Sequence, residues 1–168
     1  MATYLLDADV FIQAKNAYYG FDFCPAFWDW LIQKNTAGLV ASVAKVGEEL
    51  KGHKDELKAW SAARGSGFFL PMDRETTQAL GRVSNWANGQ NYTPNAVSTF
   101  LAGADYYLVA HALAHGGIVV TRERTNPGRN NIKIPDACDG LNIRSMNTYD
   151  MLRKGGARFV LRPSQTAP

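Results

Sequence analysis

The stretch Tyr4-Leu5-Leu6-Asp7-Ala8-Asp9 decides the fold of this chain, because a short apolar run leads directly into two acids. A run of this length that ends in a charge is typical of a buried strand. It predicts a core strand that ends at the edge of a sheet, with Asp7 marking that edge. A lone carboxylate in such a partly desolvated place is costly unless it is paired or bound to a metal.

Four further apolar runs have the length of buried strands, and helical patterns separate them. The predicted strands cover residues 4–6, 39–41, 68–70, 118–121 and 142–144. The predicted helices cover residues 25–34, 43–51, 55–63, 74–86, 94–101 and 105–115, and residues 85–93 are predicted to form a polar loop. Strands that alternate with helices indicate an α/β fold, in which right-handed crossovers place helices on both faces of a mostly parallel sheet of about five strands.

The composition is that of an ordinary globular protein, with 168 residues of which 46% are hydrophobic and 20% charged. This length is enough for one well-buried core. We therefore expect a single domain over residues 1–161, followed by a flexible tail at residues 162–168.

The net charge and the positions of the cysteines argue against several classes of protein. A net charge of +3 permits a phosphate-bearing partner but falls short of the dense basic surface of a protein that coats nucleic acid. Cys24 and Cys138 lie far apart, which argues against a zinc ribbon or a disulfide framework. The sequence has neither a signal-peptide pattern nor a membrane-spanning apolar stretch. We expect a cytoplasmic protein without a membrane partner.

Acids follow several of the predicted strands. Asp7 and Asp9 follow the first strand, Glu48-Glu49 lie in the helix after the second, and Glu123 comes just after the fourth. Asp105 opens the helix that leads into the fourth strand. In open α/β sheets ligands bind beyond the carboxyl ends of the strands. Carboxylates gathered there repel one another unless they are protonated or neutralised by a cation, and a set of oxygen donors favours Mg²⁺ or Mn²⁺ over zinc.

Each of these acids also has an ordinary structural interpretation. Asp7 or Asp9 would serve as the N-cap of the next helix. Asp105 would be stabilised by the dipole of its own helix. Glu48 and Glu49 point about 100° apart, so only one faces the sheet edge, and helical geometry alone favours Glu49 weakly.

Two histidines stand four residues apart on one predicted helix, as zinc ligands can. No Glu follows His111, so the metalloprotease pattern is missing. We expect His111 and His115 to be partly buried on a helix flank.

Taken in order, the acidic motifs resemble those of PIN-domain nucleases. Leu6-Asp7-Ala8-Asp9 is similar to the family's first motif, and Val46-Gly47-Glu48-Glu49-Leu50 is similar to its second, in a register that selects Glu49. Ala104-Asp105 and the strand that ends in Thr121-Arg122-Glu123 resemble the third and fourth motifs. The fourth acid departs from the family pattern, because it is Glu where the family has Asp.

Within PIN-like proteins, the chain most resembles the DUF4411 family of VapC-like toxins. The resemblance is carried by Pro25-Ala26-Phe27-Trp28-Asp29-Trp30, by Glu49-Leu50-Lys51-Gly52 and by Ile134-Pro135-Asp136-Ala137-Cys138. It implies a three-layer α/β/α sandwich and an endoribonuclease that acts as the toxin of a toxin–antitoxin pair. It also implies RNA as substrate, a protein antitoxin as partner and a homodimer. The catalytic and metal-binding residues it implies are Asp7, Glu49, Asp105 and Glu123, holding Mg²⁺ or Mn²⁺.

Basic residues near these acids are candidates for gripping phosphates. They are Lys15, Arg122, Arg124, Arg129 and Lys133. Residues 122–133 are predicted to form a loop, and a plain solvated loop is the simpler alternative. We expect Asp9, Thr121 and Asp136 to support the ligand carboxylates.

Two other functions fit parts of the sequence. Asp7-Ala8-Asp9-Val10 also fits the nucleophile motif of haloacid-dehalogenase-type phosphatases, with Asp7 as nucleophile and Thr121 and Lys133 in later positions. Against this, residues 11–14 continue as helix, and Pro135 interrupts the approach to the last acidic pair. The second alternative is a PIN-fold module that binds RNA or protein without cutting, which the Glu at position 123 makes plausible.

Overall fold

The structure is a computed structural model that describes residues 2–162 of the chain. Residues 163–168 of the predicted tail at 162–168 therefore lie outside the described residues. The strands are β1 (Tyr4–Leu6), β2 (Val40–Val43), β3 (Phe69–Leu70), β4 (Ile118–Val120) and β5 (Ser145–Met146). The helices are α1 (Ala8–Gln13), which a π-helical turn (Ala14–Tyr18) extends, α2 (Pro25–Thr36), α3 (Ala44–Lys51), α4 (Glu56–Ala62), α5 (Arg74–Gly89), α6 (Pro94–Ala102), α7 (Ala104–His115), α8 (Ile134–Gly140) and α9 (Thr148–Lys154).

The five strands form one sheet in the order β3-β2-β1-β4-β5, and every neighbouring pair is parallel. Tyr4 of β1 lies opposite Val40 on one side and Ile118 on the other. The α/β class and the parallel sheet of five strands predicted from the sequence are confirmed.

The strand order reverses between β1 and β4. The chain runs outward from β1 to β2 and β3, and then returns to place β4 on the other side of β1. Because parallel crossovers are right-handed, this reversal puts helices on both faces of the sheet. α2 packs against β2, while α7 packs against β2 and β4 with α5 along its length. The crevice between the carboxyl ends of β1 and β4 is thus the place where such a sheet binds ligands.

The core explains why the end of β1 is held so firmly. Leu5 and Leu6 are fully buried, and the Ser42 hydroxyl of β2 donates a hydrogen bond of 2.6 Å to the carbonyl oxygen of Leu6. Phe11, one helical turn after β1, packs its ring against those of Phe68 and Phe69, with centroids 6.1 Å apart in each case. The segment around Asp7 is therefore anchored on both sides.

Several predicted boundaries were wrong. The fifth strand lies at Ser145–Met146 and not at 142–144, because Asn142 has the left-handed φ of 56° and the Ile143 N–H bonds back to Cys138 at the end of α8. α5 continues to Gly89, so the predicted loop at 85–93 shrinks to 90–93, since buried Ala87 keeps the helix on the core.

Two short helices, α8 and α9, were not predicted. Pro135 was interpreted as an interruption, but it stands in the first turn of α8, where a proline needs no hydrogen-bond partner. The predicted loop at 122–133 contains neither helix nor strand. Within residues 2–162, no helix is both long and apolar enough to cross a membrane.

Two helical glycines make a matched pair for testing this packing. An added Cβ at Gly47 would lie 2.8 Å from Cγ of Phe69, whereas one at Gly81 would meet nothing within 4 Å. We expect Gly47→Ala to lower the free energy of unfolding by about 1–3 kcal/mol through overpacking. Gly81→Ala should raise it by about 0.5–1 kcal/mol, because alanine favours the helix. Urea unfolding measures both, and equal changes in the two variants would contradict the packing of α3 on β3.

Candidate functional site

Asp7 lies in the crevice between β1 and β4. Its N–H donates to the carbonyl oxygen of Val120 at 2.9 Å, and its side chain is only 4% exposed. The Thr121 hydroxyl donates to Oδ2 of Asp7 at 2.9 Å. Asp7 stands at the N-cap position of α1 but makes no capping hydrogen bond with its side chain. The carboxylate is therefore turned toward β4 rather than used as a cap.

Like charges surround this carboxylate. Burial raises the pKa of Asp7 well above its usual range, and the charges of Asp105, Asp9 and Glu123 raise it further, while the Thr121 hydrogen bond lowers it. Burial also raises the pKa of Asp105 to about 6, with further contributions from Glu123 and Glu49. The charge of Glu123 thus acts on the pKa of both Asp7 and Asp105, and the charge of Glu49 acts on that of Asp105.

The neighbouring acids Glu48 and Glu49 have different surroundings. Oε2 of Glu48 lies 3.0 Å from Nζ of Lys45 in a surface ion pair. Glu49 is also exposed, but its charge contributes to the raised pKa of Asp105. The structure thus brings Glu49 close enough to the acidic cluster for its charge to act on Asp105. Asp9 lies exposed in the first turn of α1, near the cluster.

Glu123 and Asp136 hold the loop that follows β4. The two oxygens of Glu123 accept from Nζ of Lys133 at 2.9 Å and from the N–H of Ile134 at 2.8 Å. Asp136 accepts from the N–H of Asn126 at 3.1 and 3.2 Å. Both acids therefore pin the loop to the start of α8. With both oxygens engaged, Glu123 is placed to position Lys133 beside the cluster, and that amine lowers the pKa of Asp105.

The carboxylates fit a hard divalent cation by their chemistry. Their donors are all oxygens, which Mg²⁺ and Mn²⁺ prefer. Buried like charges with raised pKa values also call for a neutralising cation. The acids are not tightly gathered, because among residues 2–162 no three of their carboxylates bring oxygens within 4.8 Å of one another. The set that does reach this distance is Asp73, His111 and His115.

A cavity of about 630 Å³ opens beside Thr121 and Glu123, and its lining does not include Asp7, Glu49 or Asp105. Thr121 and Glu123 form one wall, and the rest of the lining includes residues from α1, the loop after β4 and α9. Arg122 and Arg124 line it, as do the rings of Tyr18 and Tyr149, which meet edge to face with centroids 6.0 Å apart.

Other features of this cavity also suit a ligand. Cζ of Arg122 lies 6.0 Å from the centre of the Tyr18 ring. The hydroxyl of Thr148, which also lines the cavity, is buried without a hydrogen-bond partner in the described part of the chain. Sequence reasoning missed the α9 residues Thr148 and Tyr149, because the error in placing β5 hid the helix that follows it.

Two of the predicted phosphate-binding residues, Lys15 and Arg129, lie away from the cavity. Nζ of Lys15 pairs with Oδ2 of Asp55 at 2.9 Å, and that aspartate caps α4. Arg129 stacks on Tyr92, with Cζ 5.5 Å from the ring centre. Neither residue lines the cavity. Sequence spacing gave no sign of these partners, because both are distant along the chain.

Comparisons with solved structures identify the fold. The structure of VapBC2 from Rickettsia felis bound to a DNA fragment from their promoter matches with a TM-score of 0.54 and 14% sequence identity, covering 86% of this chain and 98% of that chain. The structure of FitAB bound to the IR36 DNA fragment matches with a TM-score of 0.53 and 17% identity, covering 86% and 94%. None of the curated proteins compared with this chain matches it. The architecture is the PIN-like fold that the motifs predicted.

The family follows from the sequence model that matches the chain. The model of DUF4411, a domain of unknown function, covers residues 4–159. The chain belongs to this family.

The raised pKa values predict how stability depends on pH. Between the ordinary pKa of 3.8 and the value of about 6 for Asp105, this side chain holds more of a proton in the folded chain than in the unfolded chain. The contribution of Asp105 to stability without metal should therefore fall by roughly 3 kcal/mol at most as pH rises through this window, while the lowered pKa of His111 acts in the opposite direction. Thermal melts in EDTA check this.

The matched variant for this pH measurement is Asp105→Asn, which removes the charge. In this variant the Tm should decrease less as pH rises, and at neutral pH it should lie above that of wild type. If the variant melts below wild type at neutral pH and the slope of Tm against pH is unchanged, the neighbouring acids do not repel Asp105 as described.

Proposed function

We propose that this protein is a divalent-metal-dependent endoribonuclease and the toxin of a toxin–antitoxin pair. The observation that carries the proposal is the buried carboxylate of Asp7 at the point where the strand order reverses, with Asp105 charged beside it. A fold can host many functions. The proposal rests on this site, and the family resemblance of its motifs supports it.

Asp7, Glu49 and Asp105 would hold Mg²⁺ or Mn²⁺. When bound, such a cation neutralises the carboxylates, stabilises charge on a phosphate and lowers the pKa of a water for in-line attack. Thr121 fixes the orientation of the Asp7 carboxylate through its hydrogen bond. Glu123 supports the site indirectly, because it holds Lys133 near the acids.

The cavity beside the acids supports an RNA substrate with unpaired bases. Arg122 and Arg124 would bind backbone phosphates, since guanidinium groups match phosphate oxygens in charge and geometry. Tyr18 and Tyr149 are 48% and 42% exposed, so their rings are open to a base. Bases that are not paired are the ones that aromatic side chains can stack upon.

The proposed partners are those of the toxins that the chain resembles. VapBC2 and FitAB are both described bound to DNA. We infer for this chain a protein antitoxin that silences the nuclease, a homodimer and a cytoplasmic location. These inferences rest on the resemblance to VapC-like toxins, and copurification of the chain with the product of an adjacent reading frame would test them.

The two alternative functions differ in what Asp7 and the cations do. A phosphatase would use Asp7 as nucleophile and a free lysine, but Lys133 is held by Glu123 at 2.9 Å. A non-catalytic module would gain no thermal stability from millimolar Mn²⁺. Trapping of phosphate on Asp7 would favour the first alternative.

The carboxylates provide the first test of the nuclease. Asp7→Asn or Asp105→Asn should lower Mn²⁺-dependent RNA cleavage by at least about 100-fold while the chain stays folded, because each loses a charged ligand of the cation. Gel assays with a mixed-sequence RNA measure the loss.

A second pair of variants controls for general effects of charge. Glu49→Gln should reduce cleavage strongly, whereas Glu48→Gln, whose residue pairs with Lys45 on the surface, should retain it. Equal activity of these two variants would contradict the assignment of Glu49 as a metal ligand.

The cavity provides a separate test of substrate binding. Arg122→Ala should raise the KM for RNA, leave kcat nearly unchanged and reduce the slope of log KM against log salt by about 1, because one phosphate contact is lost. Arg82→Ala, on the exposed face of α5, is the matched control. If both variants shift KM alike, the cavity is not the substrate path.

A further inference from the structure

A second group of metal-ligating side chains lies where α5 begins and α7 ends. His111 and His115 stand one turn apart on α7, with ring centroids separated by 4.6 Å. Asp73 caps α5, and its Oδ2 lies 2.8 Å from Nε2 of His115. One ligand atom from each of the three residues lies within 4.8 Å of the other two. Two helices distant in sequence thus bring three donors to one place.

Capping and ion pairing account for only part of this arrangement. Oδ1 of Asp73 accepts from the N–H of Thr76 at 2.8 Å, and Oδ2 pairs with His115. His111 takes no part in either interaction. The residue is 7% exposed, and its Nδ1 is buried with no hydrogen-bond partner among residues 2–162. A buried polar atom without a partner is costly and therefore indicates a ligand that satisfies it.

We propose that Asp73, His111 and His115 form a binding site for Zn²⁺ or a similar borderline transition metal. Two imidazole nitrogens and one carboxylate oxygen are a donor set that zinc accepts and that Mg²⁺ does not favour. Two ligands of one tetrahedral zinc ion lie roughly 3.4 Å apart. The side chains of Asp73 and His115 are 43% and 38% exposed, so they can move around buried His111. Zinc would replace the hydrogen bond between them, and their 2.8 Å separation would open to roughly 3.4 Å.

This site is distinct from the carboxylates beside β1. Asp105 and His111 stand six positions apart on α7, which is about 9 Å along the axis. The two sites also differ in chemistry, since one offers only oxygens and the other mainly nitrogens. Zinc here would fasten the start of α5 to the end of α7, two helices that pack along each other. Three protein ligands leave one position of a tetrahedral ion for water.

The experiment is a titration of the full chain, without any added histidine tag, with Zn²⁺ and with Co²⁺. In the Asp7→Asn variant, which lacks a ligand of the carboxylate site, we expect one ion per chain, a visible absorption band from bound Co²⁺, and a rise in Tm on the order of 5 °C at saturating Zn²⁺. His115→Ala and Asp73→Asn should each weaken binding at least 10-fold. Both residues are partly exposed, so the variants should fold, and circular dichroism checks this.

The chain supplies its own matched control, because His53 is the only histidine outside the cluster. His53→Ala should bind as wild type does, and Asp7→Asn should retain the Co²⁺ band. Absence of binding at submillimolar Zn²⁺, or equal loss in His53→Ala and His115→Ala, would overturn the proposal. RNA cleavage by His115→Ala should be unchanged, so this proposal and the nuclease can fail separately.

Discussion

The organisation of this protein depends on one buried carboxyl group at the end of its central strand. β1 has neighbours on both sides and is buried, so the residue that follows it must leave the core at the crevice where the strand order reverses. That residue is Asp7, and its carboxylate is held by Thr121, which directly follows β4. Only a cation, or a proton, makes such a position favourable once Asp105 lies beside it. The need for neutralisation links the topology of the sheet to its proposed chemistry.

The surrounding acids have two different roles: some contribute charge to the crevice, and others hold the neighbouring loop in place. Asp7, Glu49 and Asp105 contribute charge to the crevice. Glu123 and Asp136 hold the loop after β4 against α8, and the beginning of that loop carries Arg122 and Arg124 to the cavity. The Glu at position 123, which departs from the PIN motif, thus has a clear structural use. Its longer side chain reaches both Lys133 and the backbone of α8.

Much of the fold could be predicted from the sequence, because local residue patterns indicate most of its strands and helices. Apolar runs marked β1 to β4, and the acids after them marked the sheet edge. The fifth strand was misplaced because a left-handed residue, Asn142, and a backward hydrogen bond have no clear sequence signature. α8 was missed because a proline is ambiguous between a helix start and a break.

The site was harder to predict where partners come from distant segments. The pairing of Lys15 with Asp55 could not be seen from spacing, so this lysine was assigned to substrate binding. The same holds for Asp73, which only the packing of α5 on α7 brings to the two histidines. Spacing on one helix identified His111 and His115 as a pair, but the third donor needed the tertiary structure.

The most direct test of the central claim is anomalous diffraction from crystals soaked in Mn²⁺. The proposed site predicts a strong anomalous peak in contact with the carboxylates of Asp7 and Asp105, which disappears in crystals of Asp7→Asn. A peak confined to Asp73 and the two histidines, or no peak beside Asp7 at millimolar Mn²⁺, would contradict a catalytic cation at the end of β1.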